Sequence, residues 1–297
     1  MVLSYLLSMD FSCLLAILLI VVRDIVDAIL SARQLKFRSS SFSFADMKNF
    51  SPGYIQDRFE TWSNNRSFVD FSLMINAIAL FAFFVPLLQV SWILSDGGKR
   101  RISSLAVVCV LVLTGAICEL IVSLILLGIH GTETWIGNDF NLEDWTDDGG
   151  DMIGWRVLEL VHTVLRGMTT WINAFEWISI FGIMTTLFIV VKSERSYSHS
   201  NTGAETFGIK WALLGLVIGI LGLFDFVAEI LRLQSWVTFV TISFLVRSIN
   251  MFILVPIYLF ILGRQLPIIK GSFEEWNHSD AGKPLSPDEN VLGTDTS

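Results

Sequence analysis

The sequence predicts an all-α fold: a polytopic integral membrane protein built as a bundle of six transmembrane helices. The first observation is composition, because 53% of the 297 residues are hydrophobic, only 16% are charged and the mean hydropathy is +0.62. Ordinary soluble domains are much less apolar. The second is length, since several apolar runs reach the roughly 20 residues that a helix needs to cross a hydrocarbon core of about 30 Å. The third is that the sequence lacks the alternating segments typical of a membrane β-barrel.

Six apolar runs meet this length requirement, and the lipid bilayer is therefore the predicted partner. The predicted spans are residues 11–31, 70–95, 102–128, 169–191, 209–232 and 236–263. The first run has no Lys or Arg before its apolar core and lacks a small-x-small cleavage pattern. This pattern favours a retained span over a cleaved signal peptide.

Two further segments flank the spans. Residues 152–168 contain the amphipathic stretch "WRVLELVHTVLRG" and are predicted to form an interfacial helix before the fourth span. Residues 271–297 lose the apolar pattern and gain Pro, Gly, Asp and Ser. They are predicted to form a disordered cytoplasmic tail that follows a membrane bundle over residues 1–270.

Charged residues in the loops predict the orientation, because cytoplasmic loops are enriched in Lys and Arg. Basic residues follow the second, fourth and sixth spans, among them Lys99, Arg100, Arg101, Lys192, Arg195 and Arg264. Residues 131–151 contain seven acidic residues and no Lys or Arg. Both termini are therefore predicted to be cytoplasmic. The protein itself is predicted to lie in the plasma membrane or an endomembrane.

The loop after the first span gives a mixed signal. Three basic residues close to that span favour a cytoplasmic loop: Arg33, Lys36 and Arg38. Glycosylation sequons at Asn49 and Asn65 favour a luminal loop. The charges of the other loops fix the orientation of the bundle, and this orientation places residues 32–69 on the outer side.

Polar residues inside the spans are the candidate functional residues, because ionisable groups within a bilayer face protein or water and mark functional sites. The candidate polar layer consists of Asp24, Asp27, Glu119, Glu176, Asp225, Glu229, Arg247 and Asn250. At a rise of 1.5 Å per residue, Asp225 lies about 22 Å from Lys210, and Glu119 about 27 Å from Arg101. Both acids are therefore predicted in the outer half of the bilayer.

Arg247 is too far from either end of its span to reach water easily, and it is expected to have a buried partner. A short turn joins the fifth and sixth spans, which puts Asp225 and Arg247 at heights that differ by about 6 Å. The sequence therefore predicts an Asp225–Arg247 ion pair. Glu229 follows Asp225 by four residues and shares its helix face.

The layer contains six carboxyl groups, and only two arginines lie at its height: Arg247 within the layer and Arg23 next to Asp24. An acidic excess in a low-dielectric environment must be protonated, hydrated or balanced by a cation. This excess favours a small transporter or channel for protons or cations. The alternative is a non-catalytic structural or assembly subunit of a membrane complex, in which the polar groups fix helix pairing.

Gly215 and Gly219 form a small-xxx-small face that lets another helix approach closely. This face is the predicted contact for a homo-oligomer or for a partner in a membrane complex. The three cysteines, Cys13, Cys109 and Cys118, lie inside predicted spans and are expected to be small apolar fillers.

The sequence favours neither an enzyme nor a nucleic-acid-binding protein. Glu159 and His162 have E-x-x-H spacing, but no second such motif completes a metal centre. No nucleophile elbow, glycine-rich phosphate loop or other cofactor motif is present. The net charge of −8 argues against nucleic acid as a partner.

Overall fold

The computed structural model describes residues 9–32, 64–95, 101–139, 153–198, 207–232 and 245–266. These residues form six helices: α1 (Met9–Ala32), α2 (Arg66–Leu94), α3 (Ile102–Asp139), α4 (Ile153–Ser198), α5 (Ile209–Arg232) and α6 (Leu245–Leu266). No strand occurs within the described ranges. The all-α prediction is therefore confirmed for this part of the chain.

Five segments are long and apolar enough to cross a membrane: Arg66–Leu94, Ile102–Thr132, Gly167–Ser193, Ile209–Ala228 and Leu245–Leu266. They confirm a multi-pass membrane protein. The predicted count of six spans is not confirmed, because α1 contains four charged residues among its 24. Residues 236–244 of the sixth predicted span and the predicted tail, residues 271–297, lie outside the described residues.

Helices α3 and α4 are longer than a bilayer requires. They contain 38 and 46 residues, which correspond to about 57 Å and about 69 Å of helix. Since the hydrocarbon core is about 30 Å thick, each helix extends beyond it. Residues 153–168 belong to α4 and continue without a break into its apolar segment, so a separate interfacial helix before span four is not confirmed.

The helices form a ring in which each one packs against the next in sequence from α1 to α5. A π-helical segment of α6, Asn250–Leu254, contacts both α5 and α1 and closes the ring. Large apolar side chains fill the interior, including Ile20, Phe84, Ile180, Met184, Trp211 and Tyr258. The rings of Trp211 and Tyr258 stack at 4.8 Å between α5 and α6.

Helix α1 has its apolar side chains on the outside of the ring and its charged side chains on the inside. The exposed positions recur every three or four residues: Leu14, Leu18, Val21, Ile25 and Ile29. Arg23 and Asp24 are buried on the opposite side. This arrangement is the reverse of a soluble amphipathic helix and suits a surface in contact with hydrocarbon.

The π-helical turn of α6 has a local cause. The N–H of Val255 donates to the carbonyl of Asn250, five residues earlier. The next residue, Pro256, has no N–H, and its ring would collide with the carbonyl four residues before it in a regular α-helix. The wider turn accommodates this ring. It also changes the direction in which side chains before and after the turn project.

Gly215 and Gly219 allow other helices of the same chain to pack closely against α5. A Cβ added to Gly219 would lie 3.1 Å from Met184 Cβ and 3.4 Å from Phe181 Cα on α4. A Cβ added to Gly215 would lie 2.9 Å from Tyr258 Cε2 on α6. The predicted close approach is therefore made by α4 and α6 within the chain, and an oligomer or complex partner at this face stays a prediction.

Gly219→Leu is expected to destabilise the protein by about 1–3 kcal/mol, the usual cost of overpacking a filled interior. The reason is that the backbone of Phe181 cannot move away as a flexible side chain would. Unfolding in mixed micelles with increasing SDS, followed by circular dichroism, measures the change. Gly128→Leu is the matched control, since nothing lies within 4 Å of a Cβ added at Gly128. If the two variants lost equal amounts of unfolding free energy, the packing described for α4 and α5 would be contradicted.

Candidate functional site

Two glutamates from neighbouring helices form the centre of the candidate site. Glu119 on α3 and Glu176 on α4 are each 5% exposed, and their carboxyl groups are hydrogen-bonded to one another. An ionised carboxylate has only acceptor oxygens. A hydrogen bond between two carboxyl groups requires one of them to be a carboxylic acid, so we expect this pair to share a proton.

Ser123 indicates which member holds that proton. Its Oγ donates to Glu119 Oε1 at 3.2 Å in a buried contact on the same helix. Glu119 thus accepts from Ser123 and also takes part in the carboxyl pair. This arrangement favours Glu119 as the carboxylate and Glu176 as the acid, because hydrogen bonds to the charged form stabilise it.

Arg23 and Asp24 supply a buried ion pair from α1. Arg23 Nη2 donates to Asp24 Oδ1 at 2.6 Å, and Arg23 Nε donates to the same oxygen at 2.9 Å. Arg23 is 9% exposed and Asp24 is 4% exposed. The charge of Arg23 also acts on both glutamates, so α1 contributes to the electrostatics of the pair.

Arg247 supplies a second positive charge from α6. Its Cζ lies 5.0 Å from the ring centroid of Trp177 on α4, within the range of a cation–π interaction. Its charge, like that of Arg23, acts on Glu119 and Glu176. This aromatic contact is one contact of Arg247, and the ion pair between Arg247 and Asp225 stays a prediction.

Asp225 and Asn250 are both 0% exposed. Asn250 Nδ2 donates to the carbonyl of Ile218 on α5 at 3.3 Å. Its Oδ1 is buried without a hydrogen-bond partner within the described part of the chain. Ile218, Gly222 and Asp225 are spaced by four and three residues, so they share one face of α5. A Cβ added at Gly222 would lie 3.4 Å from Trp177 on α4, so Asp225 lies on the inward-facing side of α5.

Asp27 and Glu229 complete the predicted layer. Asp27 is half-buried, and Ser72 Oγ on α2 donates to its Oδ1 at 3.5 Å, the limit of a hydrogen bond. This contact joins α1 to α2. Glu229 belongs to α5, but its side chain is outside the described residues.

The structure adds two residues that the sequence reasoning missed. Ser123 is four residues after Glu119, a spacing that places both on one helix face. The contact between Ser123 and Glu119 could therefore have been predicted from the sequence. Trp177 directly follows Glu176, but a tryptophan in an apolar helix gives no signal that an arginine from another helix lies over its ring.

Charged groups from α1 and α6 act on a carboxyl pair formed by one glutamate from α3 and one from α4. Among the described residues, no group of three or more His, Cys, Asp or Glu side chains is arranged to hold a metal ion. The chemistry available to the pair is reversible protonation: a carboxylate oxygen gains or loses one proton.

No protein-family description matches the chain, and no curated protein or solved structure matches it either. The helices define a multi-pass α-helical membrane protein, and its function is argued from the carboxyl pair.

Proposed function

We propose that the protein is a small transporter or channel that moves protons or cations across its membrane. The hydrogen-bonded pair of Glu119 and Glu176 supports this proposal most strongly. Two carboxyl groups in a low-dielectric interior are stable only with a bound proton or another positive charge. A group whose charge is set by a bound proton is suited to pick one up from one side and release it to the other.

A purely structural role explains the pair less well. Buried ionisable groups add little stability, and well-packed apolar residues often replace them without loss. An amide pair would also join α3 to α4 without a titratable group. Ionisable residues that face the interior of a membrane bundle are therefore treated first as functional, and the transport role is proposed on that basis. The protein is proposed to act without catalysing a chemical reaction.

We further propose that α1 is a sixth crossing. Its outward apolar stripe supports contact with lipid, and its inward charges are compensated by the Arg23–Asp24 pair. Six crossings place both termini on one side, and the basic loops favour the cytoplasm for that side. In this orientation the candidate polar layer lies in the outer half of the bilayer.

Burial supports an occluded state for the proposed pathway. Glu119, Glu176, Asp225 and Asn250 are all at most 5% exposed, so water does not reach them in this conformation. A transport cycle then requires helix movement that opens the polar layer to each side in turn.

The second candidate is the non-catalytic structural or assembly subunit. The tight contacts of Gly215 and Gly219 with α4 and α6, and the Trp211–Tyr258 stack, favour a rigid bundle. A scaffold would use the same polar groups only to fix helix pairing. Ion flux separates the two candidates.

The test uses purified protein in liposomes that contain a pH-sensitive dye, with the membrane potential clamped by potassium and valinomycin. The native protein is expected to carry proton flux above that of protein-free vesicles. The double variant Glu119→Gln with Glu176→Gln is expected to return flux to the protein-free level. Asp70→Asn is the matched control, because Asp70 lies in a partly exposed pair with Arg66. Native vesicles that move neither protons nor other cations would favour the scaffold.

A further inference from the structure

We infer that the pair of Glu119 and Glu176 exchanges its proton with the outer side along the α3–α4 interface, through Ser123, Thr169 and His130. These three residues form the outer relay. The inference rests on the proposed function of the pair as a proton-binding site and adds the route by which the proton arrives and leaves. Helix register, burial and the apolar packing on the other side of the pair support it.

The register of α3 against α4 is fixed by two glycine contacts. A Cβ added at Gly115 on α3 would lie 3.6 Å from Ser179 Cβ on α4. A Cβ added at Gly182 on α4 would lie 2.8 Å from Leu111 Cδ1 on α3. Later residues of α3 therefore face earlier residues of α4, so the two helices are antiparallel. The next turn of each helix brings the two glutamates opposite one another.

The outer relay continues from the pair on the same helix faces. Ser123 and His130 follow Glu119 by four and eleven residues, and Thr169 precedes Glu176 by seven. These spacings are close to one, three and two whole turns. All three relay residues are at most 7% exposed, so they point into the protein and away from lipid.

The heights of the relay residues leave no long gap. At a rise of about 1.5 Å per residue, Ser123, Thr169 and His130 lie about 6, 10 and 16 Å from the pair along the helix axes. One water molecule between two polar side chains spans about 6 Å, because each hydrogen bond is about 3 Å long. Each step is therefore within reach of side chains that are joined directly or through one water molecule.

The two ends of the outer relay are the pair and the membrane surface. Ser123 Oγ donates to Glu119 Oε1 at 3.2 Å, which joins the relay to the pair. His130 is two residues before Thr132, the last residue of the apolar segment of α3. Since Thr132 is exposed, His130 lies at the boundary with water, on the side predicted to be outer.

Apolar side chains pack on the other side of the pair. A Cβ added at Gly115, one turn before the glutamate of α3, would lie 2.8 Å from Phe84 Cζ, and Phe84 is 2% exposed. Leu111 packs over a glycine of α4 one turn further along. Ser179 lies on this side too, but its Oγ donates to the carbonyl of Phe175 on its own helix. The polar residues of the interface therefore continue from the pair towards the outer side.

The three relay groups can each pass a proton on. One ring nitrogen of His130 binds a proton, and the other ring nitrogen releases one. Each hydroxyl accepts a proton on its oxygen and gives its own O–H proton to the next group. The last O–H bond forms on the ionised carboxylate of the pair, and the reverse sequence releases that proton.

Hydrogen–deuterium exchange of the carboxylic acid tests the outer relay without a measurement of transport. The C=O band of the protonated carboxylic acid is followed by infrared spectroscopy after a rapid change from H₂O to D₂O. His130→Gln, Ser123→Ala and Thr169→Val are each expected to lengthen the half-time of the band shift about tenfold or more. The reason is that a positioned proton-transfer group speeds such a step by about 10²-fold, and water replaces it only in part.

Ser179→Ala is the matched control. Ser179 is a hydroxyl residue on the same helix as Thr169 and is 1% exposed, but it lies on the other side of the pair. Its replacement is expected to leave the half-time unchanged. Circular dichroism checks that each variant is folded.

The outcomes separate this inference from the transport function. Native half-times in the folded relay variants, or equal slowing by Ser179→Ala, would overturn the inference even if the native protein carries proton flux in liposomes. Slower exchange in the relay variants, with no proton flux through the native protein, would support the relay and overturn the transport function. A native protein without the C=O band would overturn the proton-sharing pair and the inference with it. If His130→Gln fails to fold, Ser123→Ala and Thr169→Val test the same route.

Discussion

Replacing Glu176 by glutamine is expected to abolish proton flux while leaving the fold intact. The side-chain amide of glutamine donates a hydrogen bond to Glu119 much as the carboxylic acid does, so the link between α3 and α4 remains. An amide cannot release its proton at accessible pH, so the exchange step is lost. Flux is expected to fall by about 10²-fold or more, the range found when a positioned proton-transfer group is removed.

Circular dichroism and the unfolding midpoint in SDS check that the Glu176→Gln variant is folded. Glu176→Asp is the informative companion, because it keeps a titratable carboxyl group on a shorter side chain. It is expected to retain measurable flux. Native flux from the Glu176→Gln protein would mean that this carboxyl group is not on the proton pathway.

Replacing Arg23 by methionine is expected to destabilise the protein by about 3–5 kcal/mol, the usual cost of removing one partner from a buried ion pair. Asp24, which is 4% exposed, would lose both hydrogen bonds from the Arg23 guanidinium. The double variant Arg23→Met with Asp24→Leu is expected to recover most of this loss, since it removes the buried charge as well.

The exposed pair of Arg66 and Asp70 on α2 provides the control. Their charged groups are 3.5 Å apart, and the two side chains are 55% and 30% exposed. Arg66→Met is expected to cost less than about 1 kcal/mol, as is usual for surface pairs. If Arg23→Met cost no more than Arg66→Met, the buried pair would not stabilise α1 in the bundle.

The sequence predicted the helices well because the hydrophobic length requirement of a bilayer is a strong constraint. The observed helix Arg66–Leu94 begins four residues before the predicted span at residue 70. The spans at 102, 169 and 209 were found with similar accuracy. The length requirement says nothing about helical continuation into water. The extension of α3 to Asp139 and of α4 to Ser198 was therefore missed, as was the unbroken join between residues 153–168 and the fourth span.

The site was predicted only in part, because helix length and rise give the height of a residue but not its direction around the helix axis. Glu119 and Glu176 were both candidates, yet their pairing depends on which faces of α3 and α4 meet. The direction of the Arg247 side chain is harder to predict for a second reason. The π-helical turn Asn250–Leu254 inserts one extra residue, which rotates α6 by about 100°. Pro256 signals a disturbance of the helix, but the sequence of residues 250–254 does not show that the disturbance takes the form of a π-helical turn.

Infrared difference spectroscopy gives the most direct test of the shared proton between Glu119 and Glu176. At neutral pH the native protein is expected to show the C=O band of a protonated, buried carboxylic acid, which shifts on transfer to D₂O. Glu176→Gln is expected to lose this band, and Asp70→Asn is expected to keep it. A native spectrum without the band, or a Glu176→Gln spectrum that retains it, would contradict the proton-sharing pair.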